Sequence, residues 1–477
     1  MRQARLGHHV RADRLCPEAS RVDRVGVMPF MRSFFQREAS ARSRSVHRAG
    51  LGAPRAPWLF AAGMSVSLVI AIFGGLLFGA LAATDSGFAD ERWTETVQAH
   101  GDLQLYGWVA VFISILTFEF IVRLNGRAAP LPLAGRVAVV VSLALGAILR
   151  AVGQVWNGRA EAAWPAGAAL IVLGSVVFAV LVFSVRPANP VRKDPQSLWF
   201  RAAALWLIVA AIAGLAGAIR GTGGVMALSE SAFVVELTVR GFIMNSVLAV
   251  AVRAFPGHLE VPAIERRRHG LLFVLVNASL LVWMAGSGAF GLADTGWLRQ
   301  LGNMGLGATL LLATWWLGVP ALFQHRIPLR PYYRAMIPLA WVGLVAYAVA
   351  LGSAAIFPGW GERDLFAVGA IRHIFMLGFM APLMIAMSDI VLSRFGTGEI
   401  RGERWIPVGF ALVVVSWPLR VVLPLFTSES STLSHAVFGG AAIFAAAGLA
   451  LVAWVCATNA LAIRGRVLAP PRTRERV

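Results

Sequence analysis

Twelve predominantly apolar runs decide what this chain can fold into. They cover residues 58–83, 101–123, 133–156, 163–185, 199–219, 230–255, 270–292, 299–322, 333–356, 365–392, 406–427 and 435–463. At about 1.5 Å per helical residue, each crosses the roughly 30 Å hydrocarbon core of a bilayer. A transmembrane β-barrel would need alternating segments of about 10 residues, and nothing in the chain alternates. The fold predicted is all-α, a polytopic membrane helix bundle of about twelve transmembrane helices. Only 14% of the 477 residues are charged and the mean hydropathy is +0.70, which excludes a water-soluble globular protein of this size.

The formal charge of +19 would suit nucleic acid only if the cations gathered on one soluble face. They are instead dealt out between the apolar runs, so no nucleic-acid partner is expected and the charge reports topology. Alternate connections carry the cations, from Arg123, Arg127 and Arg136, through Arg266, Arg267 and Arg268, to Arg394, Arg401 and Arg404. The intervening connections carry only Arg92, Arg159, Arg220, Arg299 and Arg363, and hold acids such as Asp85, Asp90, Glu91, Glu362 and Asp364. The positive-inside rule places the first set in the cytoplasm, with both termini there, and the expected location is the cytoplasmic membrane of a bacterium. Residues 1–57, with twelve arginines and no long apolar run, read as a disordered cytoplasmic leader in which Met28 and Met31 are candidate starts. Residues 58–463 form the membrane domain and 464–477 a basic cytoplasmic tail. The two cysteines, Cys16 and Cys456, offer no thiolate metal site, so any metal here relies on His, Met or carboxylate.

Charged groups inside a membrane helix cost about 2.5–3.5 kcal/mol or more at its centre, so their positions carry information. Counting residues from the predicted outer face at about 1.5 Å each, Arg150 lies ~9 Å deep, Arg420 ~10 Å, Arg372 ~11 Å and Arg240 ~15 Å. They share one layer. Glu236 stands one turn before Arg240 in the i, i+4 order that favours an ion pair. His100 is expected to open the second helix at the outer boundary, with Asp102 and Gln104 just inside, His373 stands beside Arg372, and His435 opens the twelfth helix. Structural pairing and contact with water at helix ends account for any one of these residues. Four guanidinium groups at similar depth call for anionic partners, which haem propionates or an anionic substrate would supply.

His373, Met376, Met380, Met384 and Met387 follow at spacings of 3, 4, 4 and 3 and form one stripe on a helix face. Imidazole with thioether suits copper(I) or haem iron, and Met is equally a filler between packed helices. Prolines within the runs, among them Pro338 and Pro418, suit the broken helices of a transporter and are also tolerated in membrane helices generally. No phosphate-binding glycine loop, HExxH or Ser/His/Asp arrangement lies within a run, so hydrolytic chemistry has no support.

Two segments carry a family resemblance. AHGDLQLYGWVAVF, residues 99–112, resembles the HGHxQxxGW signature of the NnrS family at His100, Gly101, Gln104, Gly107 and Trp108. GAIRHIFMLGFMAPLMIAMSDIVLSRFG, residues 369–396, resembles that family's RHxxxxGF helix at Arg372, His373, Gly378 and Phe379. The resemblance implies a polytopic protein containing haem and copper and associated with nitric oxide metabolism and protection from nitrosative stress. Asp102 stands where the signature has its second histidine, which puts a harder carboxylate in place of an imidazole. The likeness does not extend to haem-copper oxidases, which need six metal-binding histidines.

The leading expectation is therefore a membrane haem protein, with copper as a second metal, that handles nitric oxide. His100 and His373 are the expected metal ligands, with Asp102, His435 and Met376 as further metal candidates. Gln104 and the arginines Arg150, Arg240, Arg372 and Arg420 would hold the cofactor, the arginines balancing its propionates. A secondary transporter that binds an anionic solute through the same arginines is the alternative, and a membrane-embedded assembly factor or sensor is a third class.

Overall fold

The computed structural model describes residues 57–83, 93–125, 131–156, 159–186, 196–221, 223–324, 332–357, 365–395, 400–426 and 432–468; the basic leader and most of the tail lie outside these. Every apolar run is recovered as a helix. The first five are α1 (Pro57–Ala83), α2 (Trp93–Leu124), α3 (Leu133–Val155), α4 (Ala163–Ser184) and α5 (Gln196–Arg220). They are followed by α6 (Leu228–His258), α7 (Arg266–Ala285), α8 (Gly296–Trp316) and α9 (Tyr333–Ile356), then α10 (Leu365–Phe395), α11 (Trp405–Phe426) and α12 (Thr432–Leu468). Eleven of them are long and apolar enough to cross a membrane. The remaining one, α8, has 21 residues and carries Arg299, Gln300 and Asn303 in its first turns, which lowers its hydropathy.

The twelve helices form three successive groups of four with the same order. In each group the second helix is central. The apolar windows of α2, α6 and α10 are 89%, 83% and 89% buried, against 28–56% for the outer spans. Around them α3 packs on α4 and α4 on α5, α7 on α8 and α8 on α9, α11 on α12 and α12 on α1. The last contact joins the two ends of the chain as α4 joins α5 and α8 joins α9. The outer helices turn apolar side chains such as Phe73, Val180, Ile212, Val274 and Ile443 outward, as lipid requires. Their apolar residues therefore run all round rather than along one stripe.

The three central helices share an irregularity. Each switches to π geometry part-way, over Leu103–Ala110 in α2, Leu237–Ile243 in α6 and Met376–Met380 in α10. A π turn adds a residue to the helical turn and re-aims the side chains beyond it, and such turns concentrate at functional sites. Each π segment contains a glycine followed by an aromatic residue, Gly107–Trp108, Gly241–Phe242 and Gly378–Phe379, at intervals of 134 and 137 residues. These glycines admit an outer helix. A Cβ at Gly241 would stand 2.7 Å from Trp206 of α5, and one at Gly378 2.7 Å from Trp417 of α11. Five residues before each glycine stand Asp102, Glu236 and His373, three polar groups at one level of the bundle core.

Polar bonds tie the centre to its surroundings. The Tyr106 hydroxyl meets Thr238 Oγ1 at 3.3 Å between α2 and α6, and Trp206 donates to Asn277, which exchanges a bond with Asn245. At the opposite end from the π segments, Arg136 pairs with Glu119 at 3.2 Å, and the Tyr333 amide donates to Asp389.

Candidate functional site

Two imidazoles meet at the level of the π segments. His100 comes from α2 and His373 from α10, and their ring centroids are 6.2 Å apart with planes inclined by 11°. His100 does not open its helix, as its place at the edge of the apolar run had suggested. The helix begins at Trp93, so His100 lies two turns inside. The polar stretch TETVQ is helical without being apolar, which is why hydropathy alone placed the start too late.

Both rings are oriented through backbone carbonyls. His100 Nδ1 lies 3.1 Å from the Gly74 carbonyl oxygen of α1, and His373 Nδ1 lies 2.6 Å from that of Gly369, one turn earlier in α10. A carbonyl oxygen has no proton to give, so Nδ1–H is the donor in each case. The lone pair of each neutral ring is thereby left on Nε2, the arrangement that metal-binding histidines adopt. Gln104 donates to the Ala71 carbonyl, on the same face of α1, at 3.0 Å.

These residues line a cavity together with Phe78, Asp102, Met376, Arg372, Arg420 and Phe438. It encloses about 1570 Å³ of space, part of it open to solvent. Gly75 and Gly101 flank it where an added Cβ would meet nothing within 4 Å, so the space continues up to the backbone. Arg420 is buried, lies over the Phe438 ring at 4.7 Å, and has no hydrogen-bond partner for Nη1 among the described residues.

The arginine layer is largely compensated from within the protein. Arg150, fully buried, pairs with Asp102 at 2.9 Å and is not among the residues lining the cavity. Glu236 accepts from Arg240 Nε at 2.7 Å and from Arg372 Nε at 3.5 Å, so one carboxylate bridges α6 and α10. Arg240 also donates to Asn303 at 2.6 Å and lies over Trp283. The anionic partners that the layer calls for are thus partly internal: three guanidinium groups face two carboxylates, and Arg420 alone has none among the described residues. The helical spacing announced the Glu236–Arg240 pair. Nothing in the sequence announced Asp102–Arg150 or Glu236–Arg372, which join different helices.

Of the methionine stripe, only Met376 reaches the cavity; Met380, Met384 and Met387 are buried in the apolar core between α2, α6 and α10. The His435 side chain lies outside the described residues. Among the described residues no three His, Cys, Asp or Glu side chains converge to hold a metal ion, so the two imidazoles stand as a pair.

No protein-family model matches the chain, and no curated protein matches it.

Proposed function

We propose that this chain is a membrane haem protein of the NnrS type, acting in nitric oxide metabolism or tolerance of nitrosative stress. The observation that carries the haem reading is the pair of imidazoles from α2 and α10, each with Nδ1 fixed on a carbonyl, 6.2 Å apart and nearly parallel. His100 and His373 would hold the iron through the Nε2 lone pairs that their Nδ1 bonds leave available. A protein-built copper or zinc site calls for three or four donors, whereas haem brings four nitrogens of its own and asks the protein only for axial ligands. A pair of histidines, with no third donor converging on them among the described residues, therefore suits haem.

The other residues fit the same group. Arg420, with its free Nη1, lines the cavity as a cation for carboxylates, and Gly75 and Gly101 leave room along its walls. Haem would supply one-electron redox chemistry and affinity for diatomic ligands. The chain's own residues would fix the imidazole tautomers, balance negative charge and keep the site within the bundle.

The test is an optical spectrum and metal analysis of detergent-purified protein made in a haem-replete host, oxidised, reduced and exposed to nitric oxide. A Soret band that shifts with nitric oxide, and that is lost or displaced in His100→Ala and in His373→Ala, is the expected result. A wild-type protein without a Soret band would end the haem reading, and with it the nitric oxide role.

A further inference from the structure

On the far side of Arg372 lies a second cavity that the haem reading does not use. Its mouth is at the helix ends that carry Thr94, Ser229 and Arg299, and its floor is formed by Glu236, Arg240 and Asn303. It encloses about 1580 Å³, part of it open to solvent. Arg372 lines both cavities, together with Val97, Gln98 and Ser231, and forms part of the wall between them.

Arg240 and Arg372 share one carboxylate, Glu236, so within this trio one positive charge is in surplus. Its geometry places that surplus on Arg372. Glu236 takes its short bond from Arg240, whose Nη1 is held by Asn303, while Arg372 offers Glu236 only Nε, at 3.5 Å. The terminal nitrogens of Arg372 have no hydrogen-bond partner among the described residues, and its side chain is 26% exposed. A guanidinium edge free in this way matches two oxygens of one planar acid group, and its attraction for an anion is strengthened away from bulk water.

We propose that the second cavity binds a monovalent planar oxyanion, of the nitrate or formate type, on the free edge of Arg372. The single surplus charge sets the valence, and the flat fork sets the shape. Glu236 is the fixed counter-ion that holds Arg240 and Arg372 in place while the cavity is empty of solute. The inference goes beyond the haem reading and stands without it.

The experiment is thermal unfolding of the detergent-purified full-length protein, titrated with sodium nitrate or sodium formate at constant ionic strength, with sodium chloride as the balancing salt. A ligand that binds only the folded state raises the Tm with saturation. Nitrate and formate are expected to raise it beyond chloride, and Arg372→Lys, which keeps the charge and loses the fork, to weaken the apparent affinity at least ten-fold. Arg299→Gln, at the partly exposed mouth, is expected to weaken it several-fold while leaving the fold intact. His100→Ala, outside this cavity, is expected to respond to nitrate as wild type does, whatever becomes of its Soret band, so failure of one reading is told apart from failure of the other. Equal responses to nitrate and chloride in the wild type would overturn the proposal, as would an undiminished nitrate response in both Arg372→Lys and Arg299→Gln.

Discussion

Asp102 shows how one residue is read differently once its neighbour is known. By resemblance it occupies a histidine's place; in the folded chain it is the anion for Arg150, a guanidinium with no exposure at all. Removing one partner of a buried ion pair leaves a stranded charge and costs about 3–5 kcal/mol. Asp102→His is therefore expected to lower the Tm markedly, and Arg150→Met in the same chain to recover much of the loss. A double-mutant cycle on thermal or denaturant unfolding measures the coupling, and a coupling near zero would refute the account. Sequence shows a pair of this kind only where helical spacing brings both members to one face, as with Glu236 and Arg240. Asp102 and Arg150 sit on different helices, and only packing puts them together. His100 and His373 were legible as candidates from their motifs, whereas the carbonyls of Gly74 and Gly369 that fix their tautomers were not.

At the scale of the element, hydropathy found each long helix among the described residues because the bilayer demands a minimum apolar length; it misplaced ends where a helix continues in polar residues and merged the short helix Val319–Gln324 with α8. It gave no hint of the π segments, since an extra residue in a turn leaves composition unchanged. At Gly241 and Gly378 these segments abut outer helices. Gly378→Val would drive a side chain into the Trp417 ring, and overpacking of this kind costs about 1–3 kcal/mol. Gly101→Ala points into open space and is expected to change stability by less than about 0.5 kcal/mol. Unfolding curves for the two variants check the contrast. Equal Tm values would mean that α10 and α11 are not in contact at Gly378.

Over the whole molecule, the apolar runs fix how many helices there are, and the loop charges propose which way they point. A fluorescent protein fused after Val477 is expected to be bright and an alkaline phosphatase fused there inactive, as befits a cytoplasmic terminus; the reverse pattern would turn both cavities toward the cytoplasm. What the runs leave open is neighbourhood, because a face turned to lipid and a face turned to another helix are equally apolar. The contact of α1 with α12, where Gly79 lies against Ala442, is of this kind. It also orders the birth of the protein. α12 is made after α1 and seats against it, so α1 waits in the bilayer, its small-residue seam unfilled, until some 350 further residues have been made. A copy halted before Thr432 displays that open seam to the lipid.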